Sequence, residues 1–208
     1  MSPELRLIAQ DIRLTPRATS VSRVTELVDS LRGCSWFVSV LGVANRVDPP
    51  EWWINAGVIR DIIWYSRFGS RFDPLAVKDI DLGFFDPNDL SPSCDHDVEN
   101  ALSILDASLV WDAKNQAAVH LWYPRRFGIE VEPFSSASEA VATFPEYCTC
   151  VGIRWSPQAG WDVAAPYGLD DLLDGVWRRN PTRVTTQEYF ARLERKQPLR
   201  IWPGVRVL

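Results

Sequence analysis

The sequence has few of the residues that bind structural metals. It contains two histidines and four cysteines in 208 residues. Cys34, Cys94, Cys148 and Cys150 do not show the spacing of zinc ligands. This pattern argues against a zinc module and favours a reducing compartment, so we expect a cytoplasmic protein.

Excess positive charge and long apolar runs are also missing. The formal net charge is −5. This argues against nucleic acid as a partner, because proteins that bind it usually carry a basic surface. The longest apolar run, near 36–44, is too short to span a membrane, and the first residues lack the basic and apolar regions of a signal peptide. We therefore expect no membrane association.

The chain has no internal repeat, no low-complexity segment and no clear linker. We expect one domain over 1–208, in which a core at 20–125 carries a C-terminal extension at 126–208 packed on it. The first 19 residues are expected to form a short helix or a loose arm. Apolar spacing and turn residues predict helices at 20–31, 36–45, 58–68, 94–105, 138–144 and 185–196, a helix starting at 114, and strands at 51–57, 108–113, 147–155 and 161–164.

Two carboxylates stand out in a further predicted strand at 77–86. Asp79 and Asp81 are two residues apart, so an unbroken strand directs both to the same face. Two acids side by side among apolar residues repel each other and lose hydration, and a divalent cation between them removes both costs. The pattern predicts a magnesium site on this strand.

The segment before this strand supplies a second signal. A short strand ends at the Asn-Ala-Gly of 55–57, and a helix begins with Val-Ile-Arg-Asp at 58–61. Together with Lys-Asp-Ile-Asp at 78–81, this order resembles the active-site head of the polymerase β-like nucleotidyltransferases, most closely that of CCA-adding enzymes and poly(A) polymerases. Further motifs at 53–57, 114–120, 165–172 and 192–203 are similar to a bacterial family of stand-alone nucleotidyltransferase-like proteins, and the resemblance extends from about residue 20 to the end.

The resemblance implies an α/β (α+β) protein of polymerase β-like fold, with a small mixed sheet and flanking helices. It also implies Mg²⁺-dependent transfer of a nucleoside monophosphate from an NTP to a hydroxyl of an unknown small-molecule or protein acceptor. Two Mg²⁺ ions would be held by the catalytic carboxylates Asp79 and Asp81. Gly57, at the helix start, and Arg60, one turn later, would lie at the phosphates.

The superfamily normally adds a third carboxylate from the next strand, and Asp112 is the candidate because it follows the apolar residues 109–111. Asp86 is the weaker rival, since its odd spacing from Asp79 points it to the opposite face, and Asp61 comes after it. Lys114 and Asn115 follow this strand directly and are expected either to contact the nucleotide or the acceptor, or to start a helix with solvated side chains.

Two departures accompany the resemblance. Superfamily members usually carry Gly-Gly or Gly-Ser where this chain has Ala56-Gly57, so one permissive glycine is lost. The large basic C-terminal regions that CCA-adding enzymes and poly(A) polymerases use for RNA are absent from this short acidic chain. A catalytically inactive nucleotidyltransferase fold that binds a nucleotide or a protein is the alternative expectation.

Overall fold

The computed structural model describes residues 12–14, 20–69 and 71–208. Strand β1 (Ile12–Leu14) is followed by helices α1 (Val21–Arg32) and α2 (Ser35–Val47). The Ser20 hydroxyl accepts a hydrogen bond from the Arg23 N–H and so caps α1. The apolar positions that predicted this helix form its buried face. Helix α2 is capped at its C-terminus by Asp48, which adopts a left-handed conformation just before two prolines.

The other elements alternate strands with helices along the chain. In order they are β2 (Trp53–Asn55), α3 (Gly57–Phe68), β3 (Ile80–Phe84), α4 (Pro92–Leu105), β4 (Trp111–Asn115), α5 (Val119–Phe127), α6 (Ala137–Val141), β5 (Gly152–Ser156), β6 (Gly160–Ala164), α7 (Asp170–Leu173), β7 (Val176–Trp177), α8 (Thr186–Lys196), α9 (Pro198–Ile201) and β8 (Arg206–Val207).

Six strands form one mixed sheet in the order β1-β6-β5-β2-β3-β4. Strand β2 is antiparallel to both β3 and β5, β5 and β6 form an antiparallel hairpin, and β3 and β4 are parallel. The parallel pair needs a crossover connection, which α4 supplies. This mixed sheet with flanking helices confirms the predicted fold class.

The two faces of the sheet bury different side chains. Ile54, Leu82 and Ile153 are register partners on one face, and they join the main core built with α1 to α4. Trp53 points to the opposite face, where it packs with side chains of α6 and with Ala164. Because side chains alternate along a strand, Asp81 and Gly83 share this second face with Trp53. The carboxylate strand is therefore buried on one side and open to a site on the other.

Helix α8 is fixed against the second, two-stranded sheet of β7 and β8. Thr185 and Glu188 form a capping box at its start. The hydroxyl of Tyr189 donates to the carbonyls of Trp177 and Leu208, at 3.1 and 2.9 Å. These contacts set the position of the first half of α8, and its second half lines the site described below.

Several predicted elements differ from the structure. The predicted strand at 77–86 covers only Ile80–Phe84, so Asp79 lies before the strand and not within it. Lys114 and Asn115 are the last residues of β4 rather than a helix start, because parallel pairing with β3 continues to Phe84↔Asn115. The predicted strand at 147–155 begins only at Gly152, after a single 3₁₀ turn. Of the predicted N-terminal arm, Ile12–Leu14 form β1, paired in parallel with β6, and the rest lies outside the described residues.

The segment after residue 126 contributes to the main sheet as well as packing against it. Strands β5 and β6 both come from this part of the chain, and β5 pairs with β2. Within the described ranges, no single helix is long and apolar enough to cross a membrane. Helices α1 and α2 satisfy that test only as a pair, and they are bent by 94° relative to each other.

Candidate active site

Two of the predicted carboxylates lie side by side at the open face of β3 and β4, and the third lines a cavity with one of them. Asp81 is the register partner of Asp112 across the parallel pair, so the two side chains lie next to each other on the same face. Asp79 stands one residue before β3, at the mouth of the site. Asp81 thus shares one cavity with Asp79 and another with Asp112, and strand pairing fixes only Asp81 and Asp112.

The carboxylates perturb one another electrostatically. Burial and the charges of Asp79 and Asp112 together raise the pKa of Asp81 to about 7. The charges of Lys196 and Arg60 act in the opposite direction but do not reverse the rise in the pKa of Asp81. A divalent cation at this position would remove the repulsion and ionise Asp81, so the donor set fits Mg²⁺, which prefers carboxylate oxygens.

Lys114 holds one of the three acids in an ion pair. Its Nζ lies 2.7 Å from an oxygen of Asp112 and 3.2 Å from one of Glu99. In the described part of the chain, no three acidic, histidine or cysteine side chains already stand together in a metal-ligating arrangement. Lys114 therefore engages one oxygen of Asp112, and a metal held by this carboxylate would lie beside that ion pair.

Gly57 begins α3 beside the acids, after an unusual turn. Ala56, the residue before it, has φ = 58° and ψ = −117°, a conformation that costs a residue with a Cβ atom about 1–3 kcal/mol. The strand β2 leads into this turn, and the Ala56 N–H is held by the Val151 carbonyl at 3.2 Å. The free N–H groups at the start of α3 therefore face a cavity that also contains Asp79 and Asp81.

Arg60 is buried among aromatic rings. Its guanidinium donates two hydrogen bonds to one oxygen of Asp61, at 2.9 and 2.6 Å, and only 5% of the residue is exposed. The rings of Trp64, Trp177 and Trp202 lie 5.1–5.9 Å from the guanidinium carbon. Arg60 thus borders the cavity, but two of its donors are bound to Asp61 and its guanidinium lies among three indole rings.

The Asn115 side chain is hydrogen-bonded to a loop and does not face a ligand cavity. Its amide oxygen accepts from the N–H groups of Asp86 and Ala117, and its amide nitrogen donates to the carbonyls of Asp86 and Asp89. The residue is 2% exposed. These bonds fold the loop after β3, and Asp86 within that loop accepts from Asn88. Asp86 borders a different cavity from the three acids, next to α4.

Two of the cavities that border the carboxylates have contrasting walls. One, of about 470 Å³, lies between the start of α3, Asp79, Asp81 and the basic end of α8. The other, of about 270 Å³, touches Asp81 and Asp112 and is walled by aromatic residues of α5 together with Arg183. The acids therefore stand between a cationic cavity and an aromatic one, and Lys114 lines the aromatic one.

The residues of α8 and α5 that build these walls were not predicted as site residues. The spacing of Arg192, Arg195 and Lys196 shows that they share a helix face. Nothing in that spacing shows what the face meets, because α8 lies more than a hundred residues after β3. The same holds for Trp122 and Tyr123, whose position beside Asp112 depends on how α5 leaves β4.

Comparison with known proteins bears on the family and the fold. The sequence profile of a family described as "Nucleotidyltransferase" matches residues 43–207. A solved structure described as "The NMR structure of the protein reveals a CCA-adding enzyme head domain" superimposes with a TM-score of 0.72, and it is 26% identical over 88% of this chain and 94% of its own. No curated protein matches. The matched region contains α3, the three acids and α8, and the chain belongs to this nucleotidyltransferase family.

Proposed function

We propose that this protein is a Mg²⁺-dependent nucleotidyltransferase, which moves a nucleoside monophosphate from an NTP to a hydroxyl and releases pyrophosphate. The observation that carries the proposal is the in-register pairing of Asp81 with Asp112, beside Asp79 and the start of α3. Two Mg²⁺ ions would supply charge neutralisation of the triphosphate and alignment of the attacking and leaving oxygens. The membership of the chain in a nucleotidyltransferase family supports the same reaction class.

The protein side chains would act mainly by positioning and charge. Asp79 and Asp81 would hold the metal-bearing triphosphate at the start of α3, where Gly57 allows close approach of the backbone. Asp112 would orient the acceptor hydroxyl and take its proton. Lys114 keeps Asp112 in place through their 2.7 Å ion pair until the acceptor and the metal arrive.

The acceptor is proposed to enter the aromatic cavity, because that cavity touches Asp112 and the cationic one does not. Its volume of about 270 Å³ suits a small molecule or a single side chain of a protein. The net charge of −5 supports an acceptor other than RNA or DNA. The four free thiols agree with a reducing cytoplasmic environment, which also supplies NTP and Mg²⁺.

The test is incubation with α-labelled NTPs, Mg²⁺ and a cell extract, followed by fractionation of the labelled products. We expect one labelled acceptor with wild-type protein and none with Asp81→Asn. Asp86→Asn is the matched control, because Asp86 is a nearby acid that borders a different cavity. Labelling that persists in Asp81→Asn, or that fails with every NTP in the folded wild-type protein, would contradict the proposal.

The ion pair between Lys114 and Asp112 also favours a second candidate function. A third acid that stays bound to Lys114 would leave a protein that binds Mg²⁺·NTP without turnover. This nucleotide-binding module predicts thermal stabilisation by NTP and Mg²⁺, loss of that stabilisation in Asp81→Asn, and no labelled product from any extract.

A further inference from the structure

The cationic cavity has walls of opposite charge. Asp79 and Asp81 form one side, and Lys78, Arg195 and Lys196 contribute to the remainder. The acidic wall attracts a cation, and the basic wall attracts an anion. A ligand that suits both walls has a positive part near the acids and a negative part near the end of α8.

The basic wall is held in place by one buried ion pair. Arg192, on the same helix, donates two hydrogen bonds to Glu146, at 2.6 and 2.9 Å, and Glu146 is fully buried. This bidentate pair fixes the orientation of α8 relative to the site. It also neutralises Arg192, so the unpaired positive charge of the wall comes from the other basic residues.

Lys78, Arg195 and Lys196 have no carboxylate partner within ion-pair distance among the described residues. Desolvation and the nearby charges of Arg60 and Arg192 lower the pKa of Lys196. Arg60, which shares the cavity, is bound to Asp61. The free positive charge of this site therefore lies at Lys78 and at the end of α8.

We propose that Lys78, Arg195 and Lys196 bind the polyphosphate chain of a divalent-metal-bound triphosphate. The metal would face Asp79 and Asp81, and the phosphate oxygens would face the basic side chains. This inference rests on the proposed nucleotidyl transfer, and it assigns selection of the triphosphate to the C-terminal part of the chain. It predicts preference for tripolyphosphate over orthophosphate, because the longer anion offers more oxygens to the metal and the basic side chains at once.

The test compares three proteins by isothermal titration calorimetry with sodium tripolyphosphate, with and without Mg²⁺, at about 0.15 M salt. They are the wild type, Arg195→Gln/Lys196→Gln, and the control Arg200→Gln/Arg206→Gln. All four substituted residues are exposed, and both double variants lose two positive charges. Arg200 and Arg206 lie outside the lining of the cationic cavity, so the control separates a local contact from a change in net charge.

We expect Mg²⁺-dependent binding to the wild type, at least about tenfold weaker binding to Arg195→Gln/Lys196→Gln, and a change within about twofold in the control. No tripolyphosphate binding by the wild type, unchanged binding by Arg195→Gln/Lys196→Gln, or an equal loss in the control would overturn the inference. Circular dichroism checks that each variant is folded.

Turnover separates this inference from the proposed function. If tripolyphosphate binding follows the expected pattern but no extract contains a labelled acceptor, nucleotidyl transfer fails and the polyphosphate site stands. If the labelled product forms and Arg195→Gln/Lys196→Gln has the wild-type KM for NTP, the polyphosphate site fails and nucleotidyl transfer stands.

Discussion

Replacement of Asp81 by asparagine is expected to stabilise the metal-free protein at neutral and alkaline pH. Burial and the charges of Asp79 and Asp112 raise the pKa of Asp81 from 3.8 to about 7. When the pH exceeds 3.8, Asp81 of the unfolded chain releases its proton. The folded protein keeps this proton until about pH 7. The folded state therefore binds more protons in this interval, and its stability falls as the pH rises.

The size of the effect follows from the shift. A shift of about 3 pH units corresponds to about 4 kcal/mol when Asp81 is fully ionised, and about 2–3 kcal/mol of this difference develops between pH 5 and pH 8. Asparagine mimics the protonated acid and has no such pH dependence. The advantage of Asp81→Asn over the wild type should grow by this amount between pH 5 and pH 8, or by roughly 5–10 °C in melting temperature.

Urea denaturation in EDTA at pH 5 and pH 8 measures this difference, with Asp86→Asn as the control acid. Asp86 borders a different cavity, so its variant should follow the pH dependence of the wild type. Mg²⁺ in excess at pH 8 should stabilise the wild type and leave Asp81→Asn nearly unchanged, because the cation replaces the missing proton. A constant difference between wild type and Asp81→Asn across this range would refute the idea that the three acids share one crowded site.

Other substitutions test the turn, the helix anchor and the loop, each by urea denaturation. Ala56→Gly should stabilise the protein by about 1 kcal/mol, since relief of the strain at φ = 58° outweighs the added freedom of glycine; a loss of stability would contradict a strained turn. Glu146→Ala should destabilise the protein by about 3 kcal/mol, because Arg192 loses its bidentate partner. The control Asp171→Ala should destabilise it less, because its ion-pair partner Arg178 is half exposed. Asn115→Ala should cost about 2–4 kcal/mol through lost buried hydrogen bonds to the loop at 86–89, and a change below about 1 kcal/mol would contradict that role.

Helices were the elements most readily predicted from the sequence. The predicted helix at 20–31 and the observed Val21–Arg32 differ by one residue at each end, because a polar cap and a regular apolar stripe are local signals. The predicted end of the third strand, at residue 113, was wrong because no local signal marks the true end of β4 at Asn115. Nothing within 108–120 shows that Lys114 and Asn115 continue to pair with Gly83 and Phe84.

The candidate site also has features that are local in sequence and features that depend on tertiary packing. The spacing of Asp79 and Asp81, and the glycine turn before α3, are short-range features that the sequence alone determined. The arrangement of the partners was decided by the tertiary structure. Parallel pairing places Asp112 beside Asp81, and the buried Arg192–Glu146 pair directs the end of α8 toward the acids. Residues far apart in sequence meet only after the sheet and its helices pack, so their common cavity has no local sequence pattern.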